Sequence, residues 1–335
     1  MPVYGQGIIP AQSAITNELT AVTRRAFVPK VFVQLWKSSP TIAALLAGAQ
    51  VASGGLSPIT VPLQGNPMVT GQWLGYDGTF NQPGTTPGLQ NAEFNLKAFC
   101  TAIPFVGFEG LVQLDYSVVP LIEARMNDAT NVTLDTFSTT LFTNVSNQQQ
   151  LIGFPAAIDD GTFALNYGNI NRTSNPFWKS TYVHNGSPAA PTRNLIFQYI
   201  AQCMKVTGEL PKLGITGVGT WTQLAQDFTS QERYNVTPAV NFGMGEVGTL
   251  FRAIDVAGVP IYADPYAPEG TLYLQNTDYL SLYVHERAAF FFTGFADLLV
   301  VGQFGYMGAI LTLLELVDVK PKAHLKADNL QFLPI

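Results

Sequence analysis

The sequence predicts an α+β chain, and three observations carry that prediction. Gly (30) and Pro (22) make up 52 of 335 residues, which suits many turns and short strands rather than a helical bundle. Several segments alternate apolar and polar residues with the period of a strand, SPITVPLQG most clearly. One stretch, residues 118–146, carries instead a helical stripe among those short strands.

Composition narrows the class of function. Hydrophobic residues are 47% and mean hydropathy is +0.17, which excludes a disordered chain. Charged residues are only 12%, about half the usual share. A free monomer covers its surface with charge, so a chain this poor in charge hides surface against a partner. Lys+Arg 17 against Asp+Glu 23 gives −6, which argues against a nucleic-acid binder that relies on a basic surface. Cys100 and Cys203 are too few for a disulfide framework and fit a reducing compartment. The N-terminus MPVYGQGIIPAQSA has neither the basic nor the apolar part of a signal peptide.

Residues 1–50 carry Arg24, Arg25, Lys30 and Lys37 against Glu18, a local charge of +3, and read as an arm with a short helix in PTIAALLAGAQ. Residues 56–104 read as a long hairpin. In SPITVPLQG, Ile59, Val61 and Leu63 share one face, and Pro58 and Pro62 confine the strand to a sheet edge. AEFNLKAFC returns with Phe94, Leu96 and Ala98 on one face. Between them Gly65–Asn91 holds six Gly, three Pro and a single charge, Asp77. Its Trp73, Tyr76 and Phe80 make it a contact surface for another chain rather than a disordered connection.

A helix over about 118–146 follows, with Ser117 as N-cap, Pro120 in the first turn and Asn127, Asp128, Asn131 and Asp135 on a solvated face. PTRNLIFQYIAQCMKVTG is a second amphipathic helix that Gly208 stops. KLGITGVGTWTQLAQDF reads as strand, turn and a helix from near Thr220; RAIDVAGVPIYADP and GTLYLQNTDYLSLYVHE read as strands. The uncharged run Leu298–Leu314 reads as two buried strands, LLVVGQF and AILTLLELV, rather than a membrane span. KPKAHLKADNLQ reads as a polar tail.

No catalytic pattern emerges. Gly243-Met-Gly245-Glu-Val-Gly248 fits the dinucleotide fingerprint but lacks the strand and helix that must flank it. His184, His285 and His324 are scattered without ligand spacing. Asp159-Asp160 before Gly161 needs no cation, because a turn explains it. Cys100 and Cys203 read as small core residues.

Five segments in order resemble the major capsid proteins of tailed bacteriophages, which adopt the Hong Kong 97-type fold. TRRAFVPKVFVQLWKSSPTIAALL resembles the arm helix, and TVPLQGNPMVTGQW through AEFNLKAF the extended E-loop. EGLVQLDYSVVPLIEARMNDATN resembles the run into the spine helix, and AAIDDGTFALNYGNINRTSNPFWKS the segment after it. AGVPIYADPYAPEGTLYLQNTDYLSLYVHE resembles the closing A-domain strands. The resemblance implies an N-terminal arm at 1–50, an E-loop hairpin at 51–104 and a P domain at 105–190. An A domain at 191–284 and returning strands at 285–335 complete it.

The function so implied is a non-enzymatic virion capsid subunit, assembled in the bacterial cytoplasm into hexamers and pentamers of an icosahedral head around double-stranded DNA. No cofactor, metal or membrane is expected. Expected partners are other copies of the chain, a portal protein, a separate scaffolding protein, a cement or decoration protein, and DNA held non-specifically. The subunit-interface candidates are Trp73, Tyr76, Phe80, Arg24, Arg25 and Lys30. Some family members crosslink an E-loop lysine to a neighbour; here the loop has no lysine, and the closest, Lys97, sits on the strand. Two readings compete: an encapsulin-type compartment shell, which shares the fold, and a membrane-associated enzyme built around 298–314.

Overall fold

The computed structural model describes residues 39–52, 59–68, 88–106, 121–229 and 253–334, together with Gly71, Trp73, Leu74, Tyr76 and Gly78. Along the chain a helix over Pro40–Ala47 precedes β1 (Gln50–Ala52), β2 (Ile59–Gln64), β3 (Leu89–Phe94) and β4 (Lys97–Val106). The longest helix is Leu121–Thr143, followed by β5 (Asn166–Tyr167), β6 (Ile170–Asn171) and β7 (Thr181–Ala189). Helix Arg193–Thr207, β8 (Leu213–Thr216) and helix Val218–Thr229 come next. Eight further strands close the order: β9 (Ile254–Val256), β10 (Val259–Ala263), β11 (Leu272–Gln275), β12 (Leu280–His285), β13 (Phe291–Phe292), β14 (Ala296–Asp297), β15 (Gly305–Asp318) and β16 (Leu325–Leu330). The chain divides into two compact units.

The described residues between 39 and 98, 137 and 286, and 313 and 334 form the larger unit. Its main sheet runs β7-β16-β11-β8-β10-β9. Helices Arg193–Thr207 and Val218–Thr229 supply Ile196, Tyr199, Ile200, Cys203 and Leu224 to a core that the sheet completes with Ile261, Leu272, Leu274, Leu325 and Ala327. The first of these helices stops at Gly208 as expected and starts on a cap at Thr192. The Thr192 hydroxyl accepts from the Leu195 amide, and Gly208 takes the left-handed conformation (φ 75°) that a side chain would resist. Beside the sheet, β1 lies parallel to β12, and β12 lies antiparallel to the second half of β15.

Among the described residues the smaller unit comprises 99–106, 121–136 and 287–312. Here β13 and β14 both pair antiparallel with the first half of β15. Ile103, Ala129 and Ile310 form its core, with Phe105, Met126 and Phe292 packed against them.

The helix expected over 118–146 is seen as Leu121–Thr143, and its start, with Ser117 and Pro120, lies outside the described residues. Asn144 ends it: its side chain donates to the carbonyls of Asn147 and Leu151 and accepts the Asn147 amide. Gly153 then passes so close that a Cβ there would lie 2.4 Å from the Leu141 carbonyl oxygen.

Four expectations are corrected. LLVVGQF is not a strand: Leu298–Val301 is a 3₁₀ turn that Asp297 caps and Gly302 (φ 77°) ends. A polar cap and a glycine stop outweigh strand propensity there. KPKAHLKADNLQ is not a surface tail, because β16 within it is buried between β7 and β11. Lys326 tolerates this by laying its ammonium 3.6 Å from the Phe163 ring centroid. The return of the hairpin is not one strand, since Asn95-Leu96 interrupts it between β3 and β4. That break shifts the parity of alternation, so Ala92 and Phe94 point inward, then Ile103 does, while Ala98 is exposed. Cys100 is exposed for the same reason and is no core residue; Cys203 is buried.

Candidate assembly surfaces

The hairpin β2-β3 is built for extension rather than burial. Its register runs Ile59↔Phe94 to Gln64↔Leu89, and the Gly65 amide donates to the Gly88 carbonyl at 2.9 Å. The ladder therefore closes at 65/88, and the open loop is shorter than the expected Gly65–Asn91. Pro62 within β2 fits a strand with one neighbour only. Beyond the ladder, Trp73 (103% exposed) and Tyr76 (115%) stand fully in solvent. Leu74 and Met68 are exposed as well. Phe80, Arg24, Arg25 and Lys30 lie outside the described residues, as does Gly243–Gly248. Among the described residues the structure thus brings Trp73 and Tyr76 into one exposed loop.

The root of this hairpin is anchored, all within the larger unit. The Glu93 amide donates to the Gly168 carbonyl at 3.0 Å, and the Asn169 side chain donates to Glu93 at 3.2 Å. Gln90 donates to Asn175 at 3.2 Å. Phe94 meets Tyr167 edge-on at 5.1 Å, and Tyr167 stacks on Trp178 at 6.0 Å. Beneath them lies Arg172, fully buried, donating to the carbonyls of Ala156, Ala157, Ala164 and Trp178 at 2.7–3.2 Å. Its guanidinium faces the Tyr167 ring at 5.2 Å and the Asp159 carboxylate at 3.6 Å. Burial lowers the pKa of Arg172, and the Asp159 charge works against that shift.

Sequence reasoning took Asp159-Asp160 as a plain turn, and the turn is there: Asp159 accepts the amides of Gly161, Phe163 and Ala164 at 2.8–3.0 Å. Its second role, as the partner of a buried arginine thirteen residues on, left no periodic signal. Among the described residues no three His, Cys, Asp or Glu side chains gather as metal ligands. None of the described helices is long and apolar enough to cross a membrane.

A second charged group sits at the junction of hairpin and sheet. Glu315 on β15 is fully buried, and one carboxyl oxygen accepts the amides of Ile152 and Leu316 at 3.1 Å. The Lys97 ammonium lies 4.0 Å from the other. Burial pushes the Glu315 carboxyl up to about 8, against the pull of the two amides and Lys97. Asp264 ties the Pro40–Ala47 helix down by accepting from the Ser39 hydroxyl at 2.6 Å and the Thr41 amide at 3.3 Å.

Solved structures decide the fold. The capsid asymmetric unit of cyanophage A-1(L) superposes with a TM-score of 0.70 at 14% identity, covering 92% of this chain and 97% of that one. The chain has the Hong Kong 97-type capsid fold. The capsid of a native GTA particle matches with a TM-score of 0.62 at 10% identity, covering 92% and 96%. An encapsulin complex from Synechococcus elongatus PCC 7942 matches with a TM-score of 0.59 at 12% identity, covering 100% and 99%. No protein-family model and no curated protein matches the sequence. At these identities the likeness is one of Hong Kong 97-type architecture alone.

Proposed function

We propose that this chain is the major capsid protein of a tailed bacteriophage, assembling with copies of itself into hexameric and pentameric capsomers of a DNA-containing head. The observation that carries the reading is end-to-end agreement with a cyanophage capsid subunit, over 92% of this chain and 97% of that one. The exposed loop bearing Trp73 and Tyr76, with Asp77 its single charge, supports it, because such a loop gains stability only when another molecule covers it. In this reading 51–104 is the E-loop, 105–190 the P domain with its spine helix, 191–284 the A domain, and 1–50 the arm. Trp73, Tyr76 and Phe80 then anchor on a neighbouring copy, with Arg24, Arg25 and Lys30 steering the arm. A portal, a scaffolding protein, a decoration protein and packaged DNA complete the partners of the head.

The encapsulin match over the whole chain supports a second reading, a cellular compartment shell. Electron microscopy of particles from the native source separates the two. Heads with DNA, a portal vertex and tails are expected; closed shells with a protein cargo and no vertex complex would instead establish the compartment. A chain that forms no closed particle would overturn both.

A further inference from the structure

The sequence holds one Asn-Gly pair, Asn185-Gly186, and the fold places it in an irregular stretch of an outer strand. β7 lies at the end of the main sheet, with β16 as its partner among the described residues. The two strands pair in register up to His184↔Asp328 and again at Ala189↔Leu330. Residues 185–188 therefore stand opposite Asn329 alone, which takes a left-handed φ of 55°. Asn185 closes this excursion. Its side-chain nitrogen donates to the Asp328 carbonyl at 2.7 Å, and its side-chain oxygen accepts from the Tyr199 hydroxyl at 3.0 Å. Its backbone carbonyl accepts from the Asn329 side chain. Gly186 is exposed, and a Cβ there would meet nothing within 4 Å.

An asparagine followed by glycine carries its own reaction. The Gly186 backbone nitrogen, once hydroxide has taken its proton, attacks the carbon of the Asn185 side-chain amide. A C–N bond forms, the bond to the side-chain nitrogen breaks, and ammonia leaves with a proton returned by water. A second water then opens the cyclic imide at either carbonyl, which leaves aspartate or isoaspartate. Glycine favours the attack because no Cβ shields its nitrogen and its backbone turns freely. Ring closure also needs the Asn185 Cβ and the Gly186 nitrogen to swing together about the Cα–C bond, and extended backbone keeps them apart. While β7 lies on β16, three hydrogen bonds hold Asn185 out of the reactive geometry. The product does not fit the place the asparagine leaves. A carboxylate accepts and cannot donate, so the Asp328 carbonyl loses its partner and faces a negative charge. Isoaspartate adds a methylene to the main chain and shifts the register between His184 and Ala189.

We propose that Asn185 is a modification site guarded by the fold: it deamidates when β7 lifts from β16, and the acid it becomes hinders β7 from pairing again. Opening of this kind is local and costs less than global unfolding. The conversion is therefore a one-way mark on chains whose outer strand has opened. It does not depend on the capsid reading, because every residue it uses lies in β7, in β16 or on the helix Arg193–Thr207.

The test incubates the full-length chain at mildly alkaline pH, folded and in guanidinium chloride, and follows one tryptic peptide by mass. Cleavage after Lys179 and Arg193 frees Ser180–Arg193, in which Asn185 is the sole amide side chain. The folded chain is expected to convert at least ~10-fold more slowly than the unfolded one. Tyr199→Phe removes one of the three bonds at nearly constant volume, and its folded form is expected to convert about 5-fold faster than folded wild type. Asn329→Gly, which keeps the left-handed backbone and removes another bond, is expected to do the same. The unfolded forms of all three are expected to convert alike. The product is tested separately as Asn185→Asp, in which hydrogen exchange at the β7 amides is expected to be faster than in wild type. Folded and unfolded chains converting at one rate would overturn the guard, as would folded rates that neither variant changes. Wild-type exchange in Asn185→Asp would overturn the one-way step.

Discussion

Gly65 and Phe177 touch so closely that a Cβ on residue 65 would lie 2.3 Å from a carbon of the Phe177 ring. The residue at which the hairpin leaves the body of the larger unit is therefore fixed by an absent methyl group. A second seat repeats the device, because a Cβ on Gly168 would lie 2.8 Å from the Phe94 ring, and Gly168 also has a left-handed φ of 58°. Together they set the angle at which the ladder departs, using ring faces rather than charge.

The first prediction follows from the first seat. Gly65→Ala must displace either the hairpin root or the Phe177 ring, at about 1–3 kcal/mol for an overpacked contact. Phe177→Ala removes the obstruction, so the double variant is expected to be more stable than the sum of the two single losses predicts. Thermal unfolding of all four proteins measures that coupling. Strict additivity would mean that the two residues do not hold each other.

Arg172 supplies the second. Arg172→Met keeps most of the volume but strands four carbonyls and the buried Asp159 carboxylate. A loss of about 3–5 kcal/mol is expected, typical of breaking a buried pair on one side. Urea unfolding at neutral pH reads it directly, and a loss under about 1 kcal/mol would mean water reaches the site.

Glu315 gives a pH dependence of unusual sign. Its folded carboxyl titrates near 8 and its ordinary value is 4.5, so the folded state holds a proton that the unfolded state releases between those limits. Stability from this group is therefore greatest below about pH 4.5, falls as pH rises through the window, and levels off above about 8. At about 1.4 kcal/mol per pKa unit the loss reaches a few kcal/mol. Glu315→Gln keeps an oxygen for the Ile152 and Leu316 amides and cannot ionise. Its thermal midpoint is expected to change less than that of the wild type between pH 6 and 8.5, and to exceed it at the upper end. Parallel pH profiles for the two proteins would rule this out.

Trp73 tests the proposed capsid role rather than the fold. It is fully exposed, so Trp73→Ala removes nothing from the subunit's own packing. A large aromatic at the centre of an interface is worth about 2 kcal/mol or more on truncation. Particle yield in sucrose gradients is expected to fall, with the unfolding midpoint of the isolated subunit unchanged. Wild-type yield would remove Trp73 from the interface.

Much of this architecture is written in local pattern. The alternation in SPITVPLQG, the Gly208 end of a helix, and the apolar stripe after Pro120 are each satisfied within one element, and each has its counterpart in the structure. What escaped reading depends on distant partners. KPKAHLKADNLQ looks like a tail until β7 and β11 are placed on either side of β16. Cys100 looks buried until the break at Asn95-Leu96 inverts its strand. Arg172 looks like any loop arginine until the carbonyls of 156, 157, 164 and 178 converge on it. The candidate aromatic loop of the assembly was visible as composition. The exposure of Phe291 and Leu299 was hidden because the apolar run around them suggested burial.

The placement of β16 also has a temporal meaning. It is the last strand of its sheet to be synthesised, yet it sits inside that sheet, parallel to β7 on one side and antiparallel to β11 on the other. Tyr182 and Asp328, which join across the β7–β16 pair, are 146 residues apart in the chain. While translation is under way β7 and β11 have an empty slot between them, and the helices laid on that sheet lack Leu325 and Ala327 from their shared core. Domains otherwise tend to fold from the N-terminus as they emerge, and long-range pairings come late. A nascent chain of this protein is thus kept from completing its main sheet until residue 330 has left the ribosome.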